Sequence, residues 1–251
     1  MHILTAADLI TKPLTIIAGH YGVGKTNLSL NLAIDLAGQA RQVMLVDMDV
    51  VNPYFRSSDH HEELSADQVK LIAPTFAGTT LDSPVLPPEV ASAFTHEGLV
   101  IFDAGGDDVG ATALGVYRRQ FQQAADASEL AFYYVVNHNR NLTETPAEAV
   151  AIAREIEAAT RLRVTGVINN SHLQDETELP HILHGYRFAC EVSALMGLPL
   201  VVTTIPIGLL PAAQVAPDFA AEVEQAEAAL YPVTRLVRPP WEGGEPQRHN
   251  T

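Results

Sequence analysis

The sequence predicts an α/β fold, three layers deep, with a central and mostly parallel sheet covered by helices on both faces. Three observations predict it. Short β-branched apolar runs alternate with longer stretches of helical pattern, as repeated strand–helix crossovers require. Several runs are apolar throughout instead of alternating, which suits strands covered on both faces. The 251 residues are 47% apolar and 18% charged, the balance of a folded chain, and the length is within reach of one α/β domain.

Taken in order, strands are expected at residues 14–18, 43–46, 69–72, 99–102, 130–136, 164–168 and 200–203. Helices are expected at 25–37, 111–125, 146–159, 179–196 and 212–230. Thr145-Pro146 makes a helix start, the hydroxyl capping and the proline taking the first helical position. The proline-rich stretch 74–88 reads as an ordered loop or crossover inside the same domain. One domain is expected over residues 1–237, and RPPWEGGEPQRHNT at 238–251 reads as a flexible tail. The uncharged stretch 193–217 is long enough to raise a membrane span, but Pro199, Pro206, Pro211 and Pro217 would break such a helix.

Fifteen Lys plus Arg stand against thirty Asp plus Glu, a net charge of −15. That balance disfavours nucleic acid, whose affinity comes from cations on phosphates, and leaves no polybasic membrane patch. The single cysteine, Cys190, excludes an internal disulfide framework and a four-cysteine metal site within one chain. The opening MHILTAADLITKP lacks the pattern of a secretory leader. The expectation is a cytoplasmic protein that uses neither a membrane nor nucleic acid as partner.

Directly after the first strand comes Gly19-His20-Tyr21-Gly22-Val23-Gly24-Lys25-Thr26, which fits G-x-x-x-x-G-K-[ST], the Walker A pattern of phosphate-binding loops. Glycines let consecutive backbone N–H groups turn inward around phosphate oxygens. The helix starting near Lys25 adds the positive end of its dipole. Lys25 then suits the β- and γ-phosphates, and the Thr26 hydroxyl suits Mg²⁺. Residues 19–26, with Asn27 next on the helix, form the expected nucleotide-contacting set.

After the second strand, Asp47 and Asp49 stand two apart on the edge where ligands sit in such sheets. One is placed to hold Mg²⁺ through water (Asp47), the other to orient an attacking water (Asp49); plain turn chemistry is the competing explanation. Past the 99–102 run comes Asp103-Ala104-Gly105-Gly106. Here an apolar strand ends in a carboxylate that holds the metal, and D-x-x-G offers a glycine N–H to a γ-phosphate. The expected metal set is Thr26, Asp47 and Asp103, and the expected catalytic pair is Lys25 and Asp49. Asp107 and Asp108 either are solvated turn residues or add metal or partner contacts.

These pieces resemble the SIMIBI class of P-loop proteins, and within it the MinD/ParA group with CobQ/CobB-type domains, over roughly residues 14–211. The likeness rests on GHYGVGKT, on Asp47 with Asp49 in DMDVVNPYFR, and on Asp103 with Gly106 in DAGGDDVGA. It implies a P-loop NTPase fold, ATP with Mg²⁺, and a nucleotide-dependent homodimer acting on a protein partner that no residue names. It also implies a base site: Asn169, in GVINNSHL, would read the adenine edge, with Asn170 the rival, and a loop at Pro206 would pack on the ring. No N-K-x-D guanine motif is present, since Asn137-His138-Asn139-Arg140 lacks the Lys and the Asp. The group's signature lysine falls at His20, a shorter side chain only partly charged near neutral pH. Arg56 is either a replacement charge, suited to phosphate, or a surface arginine.

Other clusters carry less. His60-His61 point apart in any regular element and read as a solvated turn. His172, His181 and His184 include an i, i+3 pair but lack a partner carboxylate motif for a metal. Cys190 and Tyr133-Tyr134 read as packing residues. Three functions remain open: a slow switch ATPase, an ATP-dependent enzyme activating a carboxylate with Asp107, Asp108, Arg118 and Arg119 bordering its substrate pocket, and a nucleotide sensor without turnover.

Overall fold

The computed structural model describes residues 2–49, 69–74, 86–106, 108–140 and 144–237. Arg56, the 60–61 histidine pair, Asp107, most of the 74–88 loop and the 238–251 tail lie outside the described residues. Among the described residues nine strands form one sheet: β1 His2–Ile3, β2 Leu14–Ala18, β3 Val43–Asp47, β4 Val69–Ile72, β5 Leu99–Asp103, β6 Leu130–Val136, β7 Gly166–Asn169, β8 Leu200–Pro206 and β9 Ala229–Val233. They run in the order β1-β9-β8-β7-β6-β2-β5-β3-β4, each parallel to its neighbours.

The uninterrupted apolar runs are explained by two cores. One face of the sheet, with Ile16, Val46, Phe102 and Tyr134, packs on helices α3 Asp108–Val116, α4 Arg118–Asp126, α5 Pro146–Thr160 and α6 Leu179–Met196. The other face, with Ile17, Leu45, Ile101 and Val135, meets α1 Ala6–Leu9 and α2 Lys25–Gly38 through Leu9, Leu28, Leu32 and Leu36. A third cluster joins α6 and β8 to α7 Leu210–Val215 and α8 Pro217–Gln225. Helices on both faces make the expected three layers.

Several elements depart from the sequence reading. The helix expected at 111–125 divides at Tyr117 into α3 and α4. The helix expected at 212–230 stops at Ala216, which takes the extended conformation (φ −83°, ψ 106°) that a following proline imposes. The chain resumes as α8, and residues 229–233 become β9 instead of helix. Strand β7 begins at Gly166, because the Val164 N–H is taken by Glu157 Oε1 (3.0 Å). Strand β1 was invisible to pattern, being two residues long.

The order of the strands positions the site. From β2 the chain turns one way to β3, and after β5 it crosses to β6 on the opposite side of β2. A crevice opens at such a reversal, outside the carboxyl ends of the strands.

Candidate functional site

The loop from Gly19 to Gly24 fills that crevice between β2 and α2. Gly22 and Gly24 have φ of +76° and +85°, a left-handed conformation that glycine adopts without strain. A Cβ at Gly19 would lie 2.3 Å from the Val135 carbonyl oxygen, and one at Gly24 would lie 2.5 Å from Asn170 Nδ2. The backbone can curl this tightly only because these side chains are absent. Lys25 is only 7% exposed, and its Nζ donates to the His20 carbonyl at 3.1 Å. The ammonium therefore lies back over the loop instead of reaching into solvent.

Two carboxylates approach the same place by strand register. Asp47 and Asp103 are paired positions at the ends of β3 and β5. Alternation places them on the face of Val43, Leu45, Leu99 and Ile101, the face that α2 covers. Asp47 Oδ1 accepts the Asp49 N–H at 2.9 Å. Asp103 is 1% exposed, and neither of its oxygens has a hydrogen bond of normal geometry. Burial pushes its pKa up to about 6, against the pull of the Lys25 charge and of the nearby Thr26 and Ser29 hydroxyls; Asp49 adds a smaller upward push. A buried carboxylate without partners is costly, and a hard cation would satisfy it. Thr26, Asp47 and Asp103 offer the oxygen donors that Mg²⁺ takes, in the small number it takes from protein when phosphate and water supply the rest. Among the described residues no group of three or more His, Cys, Asp or Glu could hold a metal alone.

Gly106 closes the arrangement. A Cβ there would lie 1.9 Å from the Gly19 carbonyl oxygen and 3.0 Å from the His20 nitrogen. The loop after β5 thus lies directly against the phosphate-binding loop.

A cleft of about 560 Å³ runs outward from Lys25, Thr26 and Asp49 to Asn170, Thr204 and Pro206. A larger hollow of about 790 Å³ opens elsewhere, beside Gln42, Glu97, Gln123 and Glu129, and no motif residue lines it. The chemistry is in the smaller one. Of the two adjacent candidates, Asn170 lines it and Asn169 does not. Asn170 Nδ2 donates to the Val23 carbonyl at 2.7 Å and its Oδ1 accepts the Thr204 hydroxyl at 2.6 Å. Asn169 instead accepts the Ser171 N–H and donates to Thr203, buried away from the cleft. Strand alternation separates the two.

Asn27 lines the cleft, but its side chain holds the segment after β9. Its Oδ1 accepts the N–H groups of Leu236 (2.8 Å) and Val237 (3.2 Å), and its Nδ2 donates to Thr234 O (3.0 Å). Asn31 binds both backbone groups of Thr234. This strap brings Arg235 to the cleft, ion-paired with Asp175. Arg118 and Arg119 are exposed and are not among the cleft residues. The three histidines scatter: His172 lines the cleft, His181 Nδ1 accepts the Glu178 N–H at the start of α6, and His184 packs on His138.

The profile of the CobQ/CobB/MinD/ParA nucleotide-binding domain matches residues 14–181. The chain belongs to this family. Among solved structures, FtsY from Mycoplasma mycoides superposes with a TM-score of 0.51 at 15% identity, covering 76% of this chain and 59% of that one. FtsY from Thermotoga maritima gives 0.49 at 17% identity, over 77% and 62%. The signal recognition particle 54 kDa protein from Aeropyrum pernix, in complex with GDP, gives 0.47 at 14%, over 77% and 41%. The first of these likenesses supports the fold alone, and the chain spans about three-fifths of that FtsY. No curated protein is significantly similar in sequence.

As a CobQ/CobB/MinD/ParA domain, the protein is a P-loop nucleotide-binding domain of the SIMIBI class. The family match ends at residue 181, whereas the cleft draws Thr204, Pro206 and Arg235 from beyond it. Arg140 and Arg235 escaped the sequence reading because no motif contains them. Among the described residues no helix is long and apolar enough to cross a membrane.

Proposed function

We propose that the protein is a Mg-ATP-dependent ATPase working as a slow switch on a partner protein, folded as one domain over residues 1–237. The observation that supports this most is the buried, unpartnered Asp103 carboxylate, beside Lys25 and Thr26 and in register with Asp47. That combination supports the entry of a cation together with an anionic ligand.

In this reading the loop amides and Lys25 hold the phosphate chain, and Lys25 stabilises charge on the transferred group. Thr26, Asp47 and Asp103 hold magnesium, which when bound neutralises phosphate charge. Asp49 orients the attacking water. Gly106 follows the γ-phosphate, so that the loop after β5 changes position between triphosphate and diphosphate states. Asn170 and Pro206 take the base. ATP is favoured over GTP because the residues from the end of β7, Asn169-Asn170-Ser171-His172, lack the Lys and Asp of N-K-x-D, and Asp175 is occupied by Arg235. A nucleotide-dependent homodimer in the cytoplasm completes the proposal.

The test is phosphate release from Mg-ATP and Mg-GTP by the protein and by Lys25→Ala. Turnover of ATP that the substitution reduces at least about 100-fold is expected. Turnover indifferent to Lys25, GTP turned over as fast as ATP, or binding of neither nucleotide by calorimetry would overturn the reading.

A further inference from the structure

The chain has twice as many acidic as basic residues, yet Lys25, Arg140 and Arg235 converge on one cleft. Lys25 belongs to the Walker A motif; the arginines belong to none. Arg140 stands four residues past the end of β6. Its Cδ and Nε lie 3.8 and 3.7 Å from the position that a Cβ would take at Gly22, and the Nε is buried. The side chain is thus laid across the phosphate-binding loop at a glycine whose positive φ turns backbone N–H groups inward.

The charges of both arginines act on His172. Burial first, then the charges of Arg140 and Arg235, push its pKa down to about 4. Its Nδ1 accepts the Gln174 N–H at 3.2 Å, so the remaining proton is on Nε2. That atom would be 2.9 Å from a Cβ at Gly24. The wall beside the loop therefore presents Arg140, Arg235 with its partner Asp175, and one neutral donor. Fixed positive charge in a cleft wall raises the local concentration of an anionic ligand.

We propose that Arg140 is a phosphate ligand: its guanidinium, supplied by the same chain, contacts the phosphate groups of the bound nucleoside triphosphate over Gly22. This rests on the nucleotide-binding reading above and adds a residue to it. Guanidinium suits the role because its fork of donors matches two phosphate oxygens at once. The position is also outside the motif that supplies Lys25, so the phosphate chain is held from two separate segments of the protein.

The experiment measures binding of Mg-ATP and of Mg-tripolyphosphate, which has the phosphates but no base, to the protein and to Lys25→Ala, Arg140→Ala and Arg140→Lys. A charge-assisted contact predicts that Arg140→Ala weakens both ligands by the same factor, about 10- to 100-fold. Arg140→Lys, which keeps the charge and loses the fork, is expected to recover part of the loss. Thermal unfolding of the empty variants, unchanged from the parent, separates this from misfolding, and Arg140→Lys serves if the alanine variant does not fold. Binding of both ligands by Arg140→Ala within about twofold of the parent, with Lys25→Ala having lost them, overturns the inference and leaves the nucleotide reading intact. Weakened ATP with unchanged tripolyphosphate also overturns it, assigning Arg140 to the base or ribose. Failure of the parent protein to bind ATP, GTP or tripolyphosphate removes the nucleotide reading itself.

Discussion

Replacing Asp103 by Asn is expected to stabilise the empty protein while abolishing its response to Mg-ATP. The carboxyl is buried without a hydrogen bond of normal geometry and is raised from 3.8 to about 6, chiefly by burial. The folded state therefore binds the Asp103 proton more tightly than the unfolded state. Above pH 6 the ionised group lowers stability, and the penalty is relieved as pH falls from about 6 towards 4. Its size is at most about 3 kcal/mol. Asn resembles the protonated acid and removes the penalty at every pH. In magnesium-free buffer, urea unfolding at pH 7.5 should find Asp103→Asn more stable than the parent by up to about 3 kcal/mol. The difference should shrink to about 1 kcal/mol by pH 4.5 and vanish only below the unfolded pKa of 3.8. The comparison cancels His172, whose depressed pKa works in the opposite direction: neutral in the fold, it gives stability above pH 6.5 that is lost as pH falls towards 4. Saturating Mg-ATP at 100 times its Kd should then stabilise the parent by about 2.7 kcal/mol and the variant hardly at all. A variant less stable than the parent at pH 7.5 without magnesium, or a difference that is flat between pH 4.5 and 8, would refute the argument.

Gly106→Ala places a methyl 1.9 Å from a backbone oxygen, so the loop after β5 must leave the phosphate-binding loop; a loss of about 1–3 kcal/mol and weaker nucleotide binding are expected. Gly115→Ala in α3, which meets nothing within 4 Å, should instead gain about 0.5–1 kcal/mol, and equal effects of the two in urea unfolding would contradict the packing described. Asn27→Ala removes three hydrogen bonds to the strap, at a cost of about 1–3 kcal/mol. Hydrogen exchange should show the Leu236 and Val237 amides losing protection; unchanged protection would mean the strap is held by other contacts.

The candidate site was legible wherever its chemistry is consecutive in the chain. The residues from Gly19 to Thr26 declare a phosphate-binding loop because the same few residues must supply the tight turn, the helix start and the cation. Asp47 and Asp103 were legible for a related reason: each ends an apolar strand, and parallel strands deliver their ends to one edge. Asn169 and Asn170 could not be separated in this way. They are adjacent, either suits the resemblance, and a register shift between Val167 and Ile168 where β7 meets β8 removes any simple count from one strand to the next.

By itself, then, the sequence determined the parallel sheet, its helical cover and the phosphate-binding loop, since these follow from hydrophobic period and from glycine at strained positions. Only the tertiary structure decided which asparagine faces the cleft, because one residue along a strand reverses the side chain's direction. It also decided that residues 229–233 pair with β8 and that a proline ends the helix before them. Arg140 and Arg235 reach the site from segments almost a hundred residues apart, about 95 by their numbering. Neither has a local pattern that announces it, because a cation's effect on a ligand depends on distance in space and not on its neighbours in the chain.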